Sequence, residues 1–362
     1  MFGPGARTAV VAVAVGLAVA TAAPASAASV GPPITSGLVG PLGLALGPGG
    51  ERDIYVSQSF ASPGLLTRVK GGEAAVVHTE EEGVSVEGLA VDRDGSVLFT
   101  ASAGGMEPTA GLLKRRARSG AVTTVGDPFA YEQAENPDGR RDYGFHDLPA
   151  ECAAQLPPHV DGEYEGGVDS HPYAVAVLAD GSYAVADAGG NTIVRVTRKG
   201  VVSTIAVLPA QPVLVTAENA EATGLPDCTI GRTYRFEAVP TDVEVGPDGQ
   251  LYVTTLPGGP EDAALGARGS VYRIDPETGR TRRLGTGFLG ATGLAVTPEG
   301  RVYVAELFGN RVSRLVDGKA VELVDLPAPA ALEVHRGSLY ATVDSLPAEG
   351  SPPDGKVVRI RL

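Results

Sequence analysis

Pro240-Thr241-Asp242-Val243-Glu244-Val245-Gly246-Pro247-Asp248-Gly249-Gln250-Leu251-Tyr252-Val253-Thr254 decides the fold. Its two halves each alternate between residue classes with a period of two, which is the signature of a strand. Asp-Gly between them is the strongest short hairpin signal, because glycine accepts the positive φ that the turn imposes. The phrase returns with variations. Its first halves recur as Pro41-Leu42-Gly43-Leu44-Ala45-Leu46, Val86-Glu87-Gly88-Leu89-Ala90-Val91, Pro172-Tyr173-Ala174-Val175-Ala176-Val177, Ala291-Thr292-Gly293-Leu294-Ala295-Val296 and Pro329-Ala330-Ala331-Leu332-Glu333-Val334. Turns at Gly49-Gly50, Asp94-Gly95, Asp180-Gly181, Glu299-Gly300 and Arg336-Gly337 follow, each before a second alternating run. Third strands such as Val271-Tyr272-Arg273-Ile274 and fourth strands such as Thr281-Arg282-Arg283-Leu284 complete units of four antiparallel strands. Such units repeated around an axis predict an all-β fold, a six-bladed β-propeller. The last unit ends at Leu362 with three strands, so the stretch from Pro33 to Leu38 is expected to supply its outer strand and close the ring. A seventh blade would have to come from Asp127 to Asp169, where the alternation and the Asp-Gly hairpin are both missing.

Residues 1–27 carry Arg7, an apolar run from Thr8 to Ala23 and the small triplet Ala25-Ser26-Ala27, the layout of a signal peptide cleaved after Ala27. The run is shorter than the ~20 residues a bilayer span needs. The expectation is a secreted, extracytoplasmic protein without membrane insertion after cleavage, its residues 28–362 forming a single propeller domain. That portion holds 28 basic and 43 acidic residues, a net charge of −15. Such a surface repels phosphate backbones, so nucleic acid is excluded as a partner.

The third column of the repeat falls at positions 43, 88, 174, 242, 293 and 331, so the second and third intervals are swollen. The extra residues form insertions at about 126–171 and 208–239. Both lie between the outer strand of one unit and the inner strand of the next, which puts them on the rim opposite the Asp-Gly turns. Each holds one of the chain's two cysteines, Cys152 and Cys228. In an oxidising compartment these pair, which would staple the insertions together over that face. Long irregular loops in a compact domain are usually functional, the alternative being padding that shields an edge.

Asp187 with Asn191, and Glu306 with Asn310, place an acid and an amide four residues apart at a strand end. Such pairs suit backbone hydrogen bonding within a loop, or a ligand reached over the axis. Among the inner-strand acids Glu87, Asp242, Glu244 and Glu333, Glu87 and Asp242 are the candidate metal ligands. No cofactor is required, and calcium is the hard cation such carboxylates could take. The alternative for these acids is pairing with arginine on a neighbouring unit. His146, His159 and His171, with Asp147, Asp161 and Asp169, match no zinc spacing and read as solvated loop residues. His171-Pro172-Tyr173 enters an inner strand at the end of an insertion, which makes His171 and Tyr173 ligand-binding candidates beside Asp187, Asn191, Glu306 and Asn310. No activated nucleophile or phosphate loop is present in the sequence, so no catalytic residue is assigned.

Val185-Ala186-Asp187-Ala188-Gly189-Gly190-Asn191-Thr192-Ile193-Val194-Arg195-Val196 resembles an NHL-type propeller repeat. Together with Asp169-Ser170-His171-Pro172-Tyr173 and the phrase at 239–253, it resembles the exported propellers of the scytonemin-biosynthesis-associated family. That resemblance covers nearly all of the chain after the leader and implies a scaffold without a catalytic set. Two functions follow as expectations. One is a secreted binding or assembly module whose loop-rich face takes a small molecule, glycan or protein. The other is a calcium-dependent lactonase- or hydrolase-like six-bladed propeller enzyme.

Overall fold

In a computed structural model, described for residues 28–105, 107–347 and 350–362, each repeat folds as its alternation requires. Leu44–Leu46, Ile54–Gln58, Leu65–Lys70 and Glu73–Thr79 pair in sequence order as one antiparallel sheet. Val84–Val91 to Val122–Gly126 and Pro172–Val177 to Val202–Val207 form two more of the same kind. Pro240–Val245 to Thr281–Phe288 and Ala291–Val296 to Lys319–Asp325 form two further repeat sheets. A single parallel pair, Thr286 with Lys319, joins these two into one eight-stranded sheet. The expected signal peptide, residues 1–27, lies outside the described residues.

The last repeat is completed from the other end of the described chain. Ser29–Val30 and Thr35–Leu38 both pair antiparallel with Gly355–Arg361, which supplies the missing outer strand. The first strands of the repeats stand side by side, each packed on the next and the last on the first. Apolar positions of the alternating strands fill the layers between neighbouring sheets; Val185, Val253 and Val304 are fully buried there.

Small residues in the third column have a steric cause. A Cβ on Gly88 would fall inside the Ala174 backbone, and one on Gly293 would meet the Ala330 carbonyl. Neighbouring inner strands therefore approach so closely that only glycine or alanine fits, except at Asp242. On the turn rim, Gly181 (φ +83°) shows why the hairpin needs glycine. Asp180 caps that turn by accepting from Ser182 N (2.9 Å) and Ser182 Oγ (2.6 Å), and Asp94 does the same with Ser96.

The insertions depart from the expectation that they lack strands. Asp142–Phe145 and Glu163–Glu165 from the first pair with Gln211–Leu214 and Thr233–Phe236 from the second, in a four-stranded antiparallel sheet of their own. This sheet has a small core, in which Phe145, Val215, Ala220 and Tyr234 are buried. The Phe145 and Tyr234 rings meet edge to face at 4.9 Å. Cys152, in the short helix Ala150–Ala153, is bonded to Cys228 in the turn Asp227–Thr229, across 76 residues. Closing a loop of that length removes roughly 4–5 kcal/mol of chain entropy from the unfolded state.

Candidate functional site

A cavity of 560 Å³ opens between the two insertions and the loop that follows Leu251–Thr255. Tyr164 of the first insertion and Val213, Tyr234 and Phe236 of the second form its apolar walls, with Asp161, Asn219 and Glu237 as polar points. Gly258, Gly259 and Pro260 close the far side. Arg268 fixes that loop: its guanidinium stacks 4.6 Å from the Phe236 ring and donates to the carbonyls of Gly258 (2.9 Å) and Pro260 (2.9 Å). Local capping positions the rest. Asp127 caps helix α1 (Pro128–Glu135) by accepting from Ala130 N, and Thr216 caps α2 (Ala217–Thr223) by accepting from Asn219 N. The Tyr131 hydroxyl, 2.9 Å from Thr204 Oγ1, docks α1 on the outer strand of the third repeat.

Behind Glu237 lies a set of carboxyls to which no arginine or lysine among the described residues is bonded. Asn191 Nδ2 donates to Asp138 Oδ2 (3.0 Å) and reaches Glu237 Oε2 at 3.4 Å, and Tyr143 Oη donates to Asp138 (3.0 Å). Asp187 accepts from Ser170 Oγ (2.6 Å) and from the backbone N–H of His171 (2.6 Å). Glu132, only 3% exposed, projects from α1 to Gly190, and neither of its carboxyl oxygens has a hydrogen-bond partner; Asp138 Oδ1 is unpartnered as well. Burial, then the charges of Asp187 and Asp169, push Glu132 up to about 8. Burial, then Glu237 and Asp138, raise Asp169 to about 7. Asp138, Asp187 and Glu237 are raised too, chiefly by burial.

The residues singled out in the sequence divide between places. Asp187 and Asn191 sit in the carboxyl cluster, and His171 adjoins it. The His171 Nε2 lies 2.9 Å from Glu87 Oε1. Burial pulls the imidazole down, but Glu87, Asp187 and Asp169 outweigh it and leave His171 above its ordinary value. Tyr173 lines a narrow central cavity of 30 Å³ with Asp242 and Glu244. Glu306 and Asn310 belong to the fifth repeat, where Glu306 accepts from Leu289 N (2.6 Å) and Arg311 Nε (2.8 Å), and Asn310 Oδ1 from Ala328 N (2.9 Å). The acid–amide pairs thus hold loops together, and none of the six candidates lines the 560 Å³ cavity. His159 and Asp161 do line it, whereas His146 and Asp147 are exposed to solvent.

At the axis, Asp242 does not pair with arginine; it accepts from Val243 N (2.8 Å) and Leu294 N (2.6 Å), and burial raises it to about 7. Burial, then Asp242, raises Glu333 to about 8, and burial with both neighbours raises Glu244 well above the carboxylate range. Among the described residues no group of three or more His, Cys, Asp or Glu is set to hold a metal ion.

The chain is all-β and its relatives in structure are propellers. A PQQ-bound aldose sugar dehydrogenase from Streptomyces coelicolor superposes with a TM-score of 0.57 at 16% identity, over 94% of this chain and 99% of that one. Virginiamycin B lyase from Staphylococcus aureus gives 0.50 at 16%, over 90% and 95%. A gluconolactonase from Xanthomonas campestris gives 0.51 at 13%, over 91% and 88%. At these identities the likeness is one of fold. No family model and no curated protein matches the sequence.

Proposed function

We propose that the chain is a secreted six-bladed propeller enzyme that opens an ester or lactone of a small, ring-bearing molecule held between the insertions. The observation that carries this reading is Glu237, a carboxyl raised by burial on the wall of a preformed, largely apolar cavity of 560 Å³. That volume falls within the roughly 300–1,000 Å³ of small-molecule sites. A carboxyl raised toward neutrality is suited to take a proton in one step and return it in the next. Glu237 takes the proton of a water that attacks the acyl carbon and returns it to the departing ring oxygen. The aromatic walls hold the ring of the substrate, while Arg268 and the disulfide keep the walls in place. The lactonase-like reading rests on this geometry, and calcium takes no part in the steps assigned to the residues present.

Turnover of a panel of lactones and aryl esters by the purified mature chain tests the proposal, with Glu237→Gln as the variant. Turnover that disappears in the variant supports it. Binding to the cavity without turnover of any panel member would support the binding-module reading in its place.

A further inference from the structure

The repeat itself provides an internal control for the carboxyl cluster. Asp187 in the third repeat and Glu306 in the fifth stand at the same strand end, each followed by an asparagine in left-handed conformation, Asn191 (φ +53°) and Asn310 (φ +51°). In the fifth repeat the next residue is Arg311, and its guanidinium neutralises Glu306 at 2.8 Å. In the third repeat that position is Thr192, and the insertions add Glu132, Asp138, Asp169 and Glu237 around Asp187 without adding a base. His171, already engaged with Glu87, is the cationic group whose charge acts on Asp187 and Asp169. The chain therefore assembles five carboxyls where its own repeat elsewhere places an arginine.

The cavity in front of this cluster has matching chemistry. Among the described residues its lining holds Tyr164, Tyr234 and Phe236 with Asp161 and His159 and no lysine or arginine, while Arg268, stacked on Phe236, is engaged with the Gly258 and Pro260 carbonyls. Aromatic faces attract an ammonium through their quadrupoles, and carboxyls that stay protonated while they face only one another ionise more readily beside a cation, which adds to the attraction. The same field repels a carboxylate or a phosphate. The carboxyls are not gathered closely enough to chelate a bare metal ion. An organic cation is larger and needs no such closure.

The geometry points to an amine-bearing ligand: the small molecule taken up between the insertions carries an ammonium or guanidinium group, held over the Tyr234 and Tyr164 rings beside Asp161. This deepens the function proposed above and rests on that reading of the cavity, with Glu237 left to its separate role in proton transfer.

Three isosteric probes test it by calorimetry on the mature chain: phenethylamine, 2-phenylethanol and phenylacetate. The amine should bind at least tenfold more tightly than the alcohol, and the acid should not bind measurably. Asp161→Asn should reduce the preference for amine over alcohol about three- to fivefold. Tyr234→Phe should preserve the preference and Tyr234→Leu should lower it. Glu237→Gln should abolish turnover while lowering the amine preference less than Asp161→Asn does, so failure of the catalytic reading and failure of this one give different results. Equal or tighter binding of the alcohol or the acid overturns the inference. So does an amine preference unchanged in both Asp161→Asn and Tyr234→Leu, and so does the absence of binding by all three probes.

Discussion

On the Asp-Gly rim, Asp94, Asp180 and Asp248 each meet an arginine from the third strand of their own sheet: Arg115, Arg195 and Arg273. On the insertion face, Glu132, Asp138, Asp169, Asp187 and Glu237 meet one another. Ser96 and then Arg115 lower Asp94 to about 2, whereas burial raises Glu132 to about 8. The same side-chain chemistry thus serves as scaffold where each acid is solvated and paired, and holds its protons to higher pH where acids are buried together. The repeat writes the first arrangement many times. The second arises beneath the insertions and, in Asp242, Glu244 and Glu333, at the axis.

The largest expected effect breaks the reactive side of this contrast. Glu237→Gln should cost about 10²–10⁴ in kcat, the usual contribution of general acid–base catalysis, with little change in melting temperature. Next comes the staple. Replacing Cys152 and Cys228 with alanine should lose about 3 kcal/mol of local stability. Hydrogen exchange should then show loss of protection in Asp142–Phe145 and Thr233–Phe236 while the repeat sheets keep theirs.

The two faces should also respond to pH in opposite windows. Unfolded carboxyls release their protons near pH 4, but Glu132 and Asp169 keep theirs to about 8 and about 7. Stability from the cluster is therefore full below about pH 4 and falls as pH rises toward 8. Asp94 acts the other way: its contribution is full above about pH 4 and is lost as pH falls toward 2. Thermal melts of Glu132→Gln should match the parent at pH 4 and lie a few degrees above it at pH 8, a gain of about 1–2 kcal/mol. The smallest effect belongs to the scaffold rim, where Arg195→Ala should change stability by less than about 1 kcal/mol because Asp180 is exposed.

Most of the architecture was legible because the repeat states it redundantly. Alternation, the Asp-Gly turn and a small third column all point to the same strand pairings, and the steric need at Gly88 and Gly293 explains the column. The cysteines were legible as well: being the chain's two in an expected oxidising compartment they pair, and the topology placed the bridge between the insertions. The insertion sheet was not legible. Its strands are three or four residues long, and Gly144 pairs with Arg235, far along the chain, so no local period had room to show. Tyr143 with Phe145 and Tyr234 with Phe236, each two apart, were the traces of it. The candidate site was hidden for a related reason: Glu132, Asp169 and Glu237 come from separate segments, and only folding shows that they are buried together without a base.

The pairing of Ser29–Val30 and Thr35–Leu38 with Gly355–Arg361 also governs the order of assembly. A ring whose seam joins strands this far apart in the chain stays open until Gly355–Arg361 has been made. Until that moment Thr35–Leu38 has no partner and its edge is a template for other chains, and the closing contact is among the most distant pairings in the described residues. Biogenesis, more than the finished protein, is therefore where this molecule is most exposed to misassembly, and a substitution such as Val357→Asp at the seam should appear first as aggregation during production.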